Sequence, residues 1–158
     1  MALTSELTMV HMEALTAIGR IERNLRTLHR DDPEQSRAVR ISDQLARSSV
    51  RLRQSLARFF EREQTELFPR VRRICGNDLQ ELQQLAESQH QVLNRLDQFI
   101  ATVSEDAESE RPQSTEYLHD LEQHFARFVD DFEQRCALER SFYRSYATIL
   151  FPGGVATD

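Results

Sequence analysis

The sequence predicts an all-α fold, an antiparallel up-down four-helix bundle, and three observations carry that expectation. Apolar residues recur every three or four positions through four long stretches, the spacing of one helix face. Only four glycines and four prolines punctuate 158 residues, too few for a loop-rich or all-β chain. The connections between the stretches are short or medium, which makes successive helices antiparallel neighbours. With 39% hydrophobic residues there is material for one core, so residues 1–150 read as one bundle domain and 151–158 as a tail.

Helix one runs from Thr4 to Arg30, where Leu7, Ala14, Ile18, Ile21, Leu25 and Leu28 recur at heptad-like spacing and His11 falls on the same stripe. Asp32 is the expected N-cap of helix two, with Pro33 at the first helical position, where its missing N–H is not needed. Helix two carries Val39, Leu45, Leu52 and Leu56 on its inner face, and an exposed apolar strip around Ile41 and Val50 is a candidate interface. Pro69 lies inside the helical pattern and predicts a kink or break. Gly76 closes this segment, and Asp78 followed by Glu81 reads as a capping box opening helix three. Helix three points Leu79, Leu82, Ala86, Leu93, Leu96 and Ile100 inward, with His90 on the same stripe. Ser104 to Gln113 reads as the longest loop, and Ser114 as the N-cap of helix four. Helix four has the plainest stripe: Leu118, Leu121, Phe125, Phe128 and Phe132, then Arg135 and Glu139, then Phe142, Tyr146 and Ile149.

The informative positions are polar residues on apolar stripes. In the segment FFEREQTELFPR, Phe59 to Arg70, Glu63 stands where Leu52, Leu56 and Leu67 call for an apolar side chain. An ionised carboxylate buried alone costs several kcal/mol, so Glu63 must be protonated, paired with a cation or bound to a metal. Measured from one end of an antiparallel bundle, His11, Glu63, His90 and Glu139 fall within roughly 5 Å of the same height.

These residues resemble the pattern of the hemerythrin-like, or HHE cation-binding, family. That family carries an inward His on helix one, a His-x-x-x-Glu followed by Leu-Phe-Pro on helix two, a His on helix three, and a related pair on helix four. Here stand His11; Phe59-x-x-x-Glu63 followed by Leu67, Phe68 and Pro69; His90; and Arg135-x-x-x-Glu139. The resemblance covers nearly the whole chain. It implies a non-haem di-iron centre bridged by the two Glu, and binding of oxygen or sensing of oxygen, iron or redox state. The chain departs from the pattern at Phe59 and Arg135, where the family has His, and Asn94 adds no imidazole beside His90. Two His and two Glu are too few nitrogen ligands for the family's oxygen chemistry.

Two functional readings follow, neither of them an enzyme. A guanidinium is always charged, does not ligate metals and fits carboxylates with a planar fork. Arg135 is therefore expected to form a buried network with Glu63 and Glu139, His11 and His90 being further hydrogen-bond partners, in place of most of the metal site. That gives a regulatory or interaction protein acting on an unknown protein partner or as a homodimer. The alternative keeps a single non-haem ion, iron foremost and otherwise zinc or manganese, on His11, Glu63, His90 and Glu139, and gives a sensor of oxygen, redox or metal. Against both stands a plain structural account, in which the histidines are satisfied core residues and Glu63 snorkels.

Other signals are weaker. Glu87-x-x-His90 and Glu116-x-x-His119 have ferritin-like ligand spacing but no matching inward Glu. Cys136 reads as a buried inert thiol, and His29 and His124 as boundary residues. Cys75 and Cys136 form neither a ligand motif nor a disulfide framework, and no basic stretch precedes an apolar one at the start, so the expected compartment is the cytoplasm. No apolar run approaches the roughly 18 residues of a membrane span. The net charge of −6 is split unevenly: 14 Arg against 10 acids in residues 1–76, and 6 Arg against 16 acids in 77–158. Arg interleaved with acids along helices, with no groove-reading motif, argues against nucleic acid. No Ser-His-Asp order, phosphate-binding glycine loop or nucleotide motif is present.

Overall fold

A computed structural model describes residues 3–30, 34–108 and 115–153. The elements are α1 (Leu3–Arg30), α2 (Gln35–Arg62), a π-helical turn (Glu63–Leu67), α3 (Phe68–Cys75), α4 (Gln80–Glu108), α5 (Thr115–Ser145) and the short α6 (Ala147–Leu150). The fold is all-helical, with no strand among the described residues. α1 packs on α2 and α5, and α4 packs on α2 and α5, so the four long helices close a ring.

Local chemistry explains the boundaries. Glu34, extended at φ −52° and ψ 147°, precedes α2, and its carbonyl accepts from the Arg37 and Ala38 N–H groups at 2.9 Å each. The expected cap Asp32 and Pro33 lie outside the described residues. At Pro69 the expected kink or break takes the form of one wide turn just upstream. The Phe68 N–H reaches back five residues to the Glu63 carbonyl, and α3 then starts with Pro69 in its first turn, where no donor is required. Gly76, at φ 91°, ends α3 in a conformation that L side chains avoid, and its N–H bonds to the Arg72 carbonyl at 2.9 Å. Helix three of the sequence reading continues to Glu108, so Ser104 to Glu108 is helical and not loop. Pro112 and Ser114 lie outside the described residues, as does the tail from residue 154 onward.

The α5 stripe is buried as its spacing predicts, from Leu118 through Phe142, including Arg135 and Glu139. Phe99 of α4 meets Phe125 at 4.9 Å between ring centroids, and Phe128 and Phe132 continue the stack. These rings join Ile21, Leu25, Leu45, Leu56 and Leu96 in the larger of two apolar clusters. The smaller cluster gathers Leu67, Phe68, Val71, Leu82, Leu85, Phe142, Tyr143 and Leu150, and Leu7 packs against both.

One helix, α4, sits in a different rotation from the one expected, and α2 departs from its expected inner face at Val39. On α4 the buried face is Leu82, Leu85, Gln89, Val92, Leu96, Phe99 and Val103, whereas Leu79, Ala86, Leu93 and Ile100 are half-buried. Leu85/Ala86, Val92/Leu93 and Phe99/Ile100 are adjacent apolar pairs about 100° apart on the helix, and periodicity alone does not rank the two members of each pair. On α2, Val39 is 55% exposed and Ile41 is buried, so the strip of Ile41 and Val50 does not form. The inner stripe is Ile41, Leu45, Ser49, Leu52 and Leu56, with the Ser49 hydroxyl satisfied by donating to the Leu45 carbonyl at 2.7 Å.

The rotation of α4 is testable by urea unfolding. Phe99→Ala removes a fully buried ring and is expected to cost about 3–5 kcal/mol. Ile100→Ala, on the half-buried neighbour, is expected to cost less than half as much; equal losses would contradict this facing.

Candidate functional site

Where the two apolar clusters meet, four segments deliver polar groups to one buried centre and a fifth lays an aromatic ring against it. The π turn supplies Glu63, α4 supplies the Leu85 carbonyl and Ser88, α5 supplies Arg135, Cys136, Glu139 and Tyr143, α1 supplies His11, and the end of α2 supplies Phe60. Glu63, Arg135 and Glu139 have side chains exposed by 0%, 1% and 1%.

Arg135 is the hub. Its Nη2 donates to Glu63 Oε1 at 2.6 Å, and Nη1 donates to the Leu85 carbonyl at 2.6 Å and to Ser88 Oγ at 2.5 Å. The Ser88 hydroxyl in turn donates to the Leu85 carbonyl at 2.7 Å, which fixes it as an acceptor for Arg135. The guanidinium carbon lies 4.3 Å from the centroid of the Phe60 ring, a cation–π contact in a dry site. Arg135 Nε is 2.8 Å from Glu139 Oε1 one turn along the same helix, but its N–H is not aimed at that oxygen. The contact is therefore Coulombic and lacks the directed hydrogen bond that Glu63 receives.

Each carboxylate has two partners. Glu63 takes Arg135 on Oε1 and the Tyr143 hydroxyl on Oε2 at 2.8 Å. Burial pushes the Glu63 carboxyl above the usual carboxylate range, Arg135 pulls it back, and Glu139 and Tyr143 add smaller shifts of opposite sign. Burial and the Glu63 charge likewise push the Tyr143 hydroxyl up. Glu139 faces Arg135 with one oxygen and places the other 2.7 Å from His11 Nε2, which is also 3.8 Å from Cys136 Sγ. Hydrogen bonds to Cys136 and Glu139 outweigh desolvation and push the His11 imidazole up to about 10. Phe59 and Phe132 flank the ring edge-on at 6.5 and 6.2 Å.

Of the residues singled out in the sequence, His11, Glu63, Arg135 and Glu139 come together, and Phe59 lies against His11. His90 does not: it is exposed, and Gln89 turns inward in its place, reaching the Phe60 carbonyl at 3.4 Å and pairing with Gln64. The same rotation of α4 that buries Leu85 and Val92 carries His90 to the surface. A His11, Glu63, His90, Glu139 ligand set is therefore not assembled. Glu87, Glu116 and His119 are exposed as well. His29 is half-buried and pairs with Glu122 at 3.0 Å. Sequence reasoning passed over Tyr143, although it stands one turn after Glu139, and it read Cys136 as inert, although its thiol is half-buried beside His11. Among the described residues, His11, Cys136 and Glu139 are a group whose ligand atoms lie within 4.8 Å of one another.

The fold is all-helical, and separate segments of it direct charged side chains into one buried centre. The chain belongs to the hemerythrin HHE cation-binding domain family, whose model matches residues 2–136. The matched segment contains Arg135 and Cys136 and stops short of Glu139. Comparison with curated proteins and with solved structures returned no match.

Two predictions concern this centre. His11 is held protonated in the fold above its ordinary value of 6.5, so its contribution to stability is complete below that pH and is lost as pH rises toward about 10. The stability gap between wild type and His11→Gln, read by urea unfolding, is expected to shrink across that window; a gap that widens contradicts the assignment. Arg135→Met strands two buried acids and is expected to cost about 3–5 kcal/mol at neutral pH. Adding Glu63→Gln is expected to recover part of the loss, and a single variant as stable as wild type would count against the pairing.

Proposed function

We propose that this protein is a non-enzymatic, regulatory or interaction member of its family, in which the Arg135 guanidinium takes the place of the dinuclear metal pair. The observation that carries the reading is the placement of that guanidinium within 2.6 Å of Glu63 and 2.8 Å of Glu139, all three side chains withdrawn from water. A di-iron centre would use those two carboxylates as bridges, and a fixed cation already neutralises them. The remaining donors do not fit two metals either: Phe59 and Arg135 supply no imidazole, and His90 is exposed.

An antiparallel up-down bundle is the arrangement we infer for the ring of long helices. Pairs of partners support it, because residue numbers rise on one helix as they fall on the next: Glu6 with Arg62, His11 with Glu139 and His29 with Glu122. Arg53 with Asp97 and Gln64 with Gln89 follow the same order, as do Arg95 with Asp131 and Ser88 with Arg135. With the centre occupied by protein groups, the protein acts through its outer surface, on a protein partner or on a second copy of itself. No helix among the described residues is long and apolar enough to cross a membrane.

Iron analysis tests the reading. Protein purified without chelator, and again after exposure to ferrous iron and air, is expected to hold far less than two irons per chain and to lack oxo-bridged di-iron absorption. Two tightly held irons per chain would overturn it.

A further inference from the structure

We infer that His11, Cys136 and Glu139 form a mononuclear site for a divalent cation of the zinc class, separate from the Arg135 pair and open to solvent at a fourth position. The three donors are an imidazole nitrogen, a thiol sulfur and a carboxylate oxygen, the mixture that suits borderline ions, and zinc is held by three protein ligands of these kinds where one position stays open. Cys136 and Glu139 stand three apart on α5 and so share a face, and His11 meets them from α1.

The distances accord with insertion of an ion. Zinc–ligand bonds of about 2.0–2.3 Å place neighbouring ligand atoms of a tetrahedron about 3.3–3.6 Å apart. His11 Nε2 and Cys136 Sγ are 3.8 Å apart. His11 Nε2 and Glu139 Oε2, at 2.7 Å, are held together by a hydrogen bond and need to separate by about 0.6 Å when an ion replaces the proton. The His11 side chain is 21% exposed and Cys136 is half-buried, so the ion has a path from solvent. Arg135 steadies the far oxygen of Glu139 from behind, as outer partners of metal ligands do. With Cys136 as thiolate, the three negative groups of the loaded centre, Cys136, Glu139 and Glu63, are balanced by Arg135 and the divalent ion.

The inference rests on the preceding reading only in that Arg135, and not a second metal, keeps the adjoining position. The 158-residue protein is stripped with chelator, desalted into reducing buffer and titrated with Co2+ and then Zn2+. One equivalent of Co2+ is expected to give thiolate-to-cobalt charge-transfer absorption and intense tetrahedral d–d bands, both displaced by one equivalent of Zn2+. Cys136→Ser is expected to remove the charge-transfer band, and His11→Gln to weaken Zn2+ binding roughly tenfold or more. Cys75→Ser and His90→Gln, both at exposed positions, are expected to leave both readings unchanged. Cobalt that remains octahedral in the wild type, or a band that survives Cys136→Ser and vanishes in Cys75→Ser, overturns the site. Two bound irons would instead defeat the reading of function, and an iron-free protein without the cobalt band defeats this inference alone.

Discussion

A guanidinium and a carboxylate sealed from water fix the middle of this protein. Neither Arg135 nor Glu63 tolerates burial alone, and together they are acceptable because both Glu63 oxygens and both terminal nitrogens of Arg135 have partners, leaving only Nε without a directed hydrogen bond. Tyr143 covers the second Glu63 oxygen, the Leu85 carbonyl and Ser88 take the other end of the fork, and the Phe60 face lies against the guanidinium. Each of these contacts comes from a different stretch of chain. The pair therefore sets the height and rotation of α2, α4 and α5 relative to one another, a restriction that the surrounding leucines and phenylalanines, which pack without direction, do not impose.

The backbone irregularity sits where that restriction is tightest. An α-helix running through Glu63 to Pro69 would leave the Thr65 carbonyl facing a proline ring with no N–H. The wide turn over Glu63–Leu67 resolves this and inserts one extra residue per turn at the point where Glu63 must reach Arg135. Adjacent residues just before it and at its end, Phe59 with Phe60 and Leu67 with Phe68, are both buried. The buried Gln89 meets the Phe60 carbonyl in the last turn of α2 and pairs with Gln64 inside the wide turn, so α4 helps to hold the irregular segment in place.

How much of this was legible depends on how many faces of a helix are apolar. On α5 one stripe alone is apolar, and its two interruptions, Arg135 and Glu139, were readable as inward charges. Glu63 was readable for the same reason. On α4 two neighbouring stripes compete, and the stripe of Ala86 and Leu93 carries His90 inward whereas that of Leu85 and Val92 carries Gln89 inward. Packing against Phe125 and the Arg135 hydrogen bond to Leu85 decide the matter, and both are long-range. On α2 the same ambiguity misplaced Val39 and Ile41. The wide turn was legible only as a disturbance near Pro69, because a proline announces a missing donor without saying how the chain compensates. Cys136 reads as inert from the sequence for a different reason: its meaning lies in its distance to His11, 125 positions away.

Glu139 is the residue through which the two ends of the centre communicate. One oxygen faces Arg135 and the other His11, so α1 is tied to α5 by the same carboxylate that helps to balance the buried cation. From Arg135 the contacts run on to Glu63 in the wide turn that follows α2 and to Ser88 on α4, and one unbroken series of polar contacts joins α1, α5, that turn and α4. The two oxygens are not equivalent in strength. The Arg135 N–H is not directed at Glu139, whereas its bond to Glu63 is short and aligned. A change at the His11 end therefore alters how firmly α1 is held while leaving the Arg135–Glu63 bond in place.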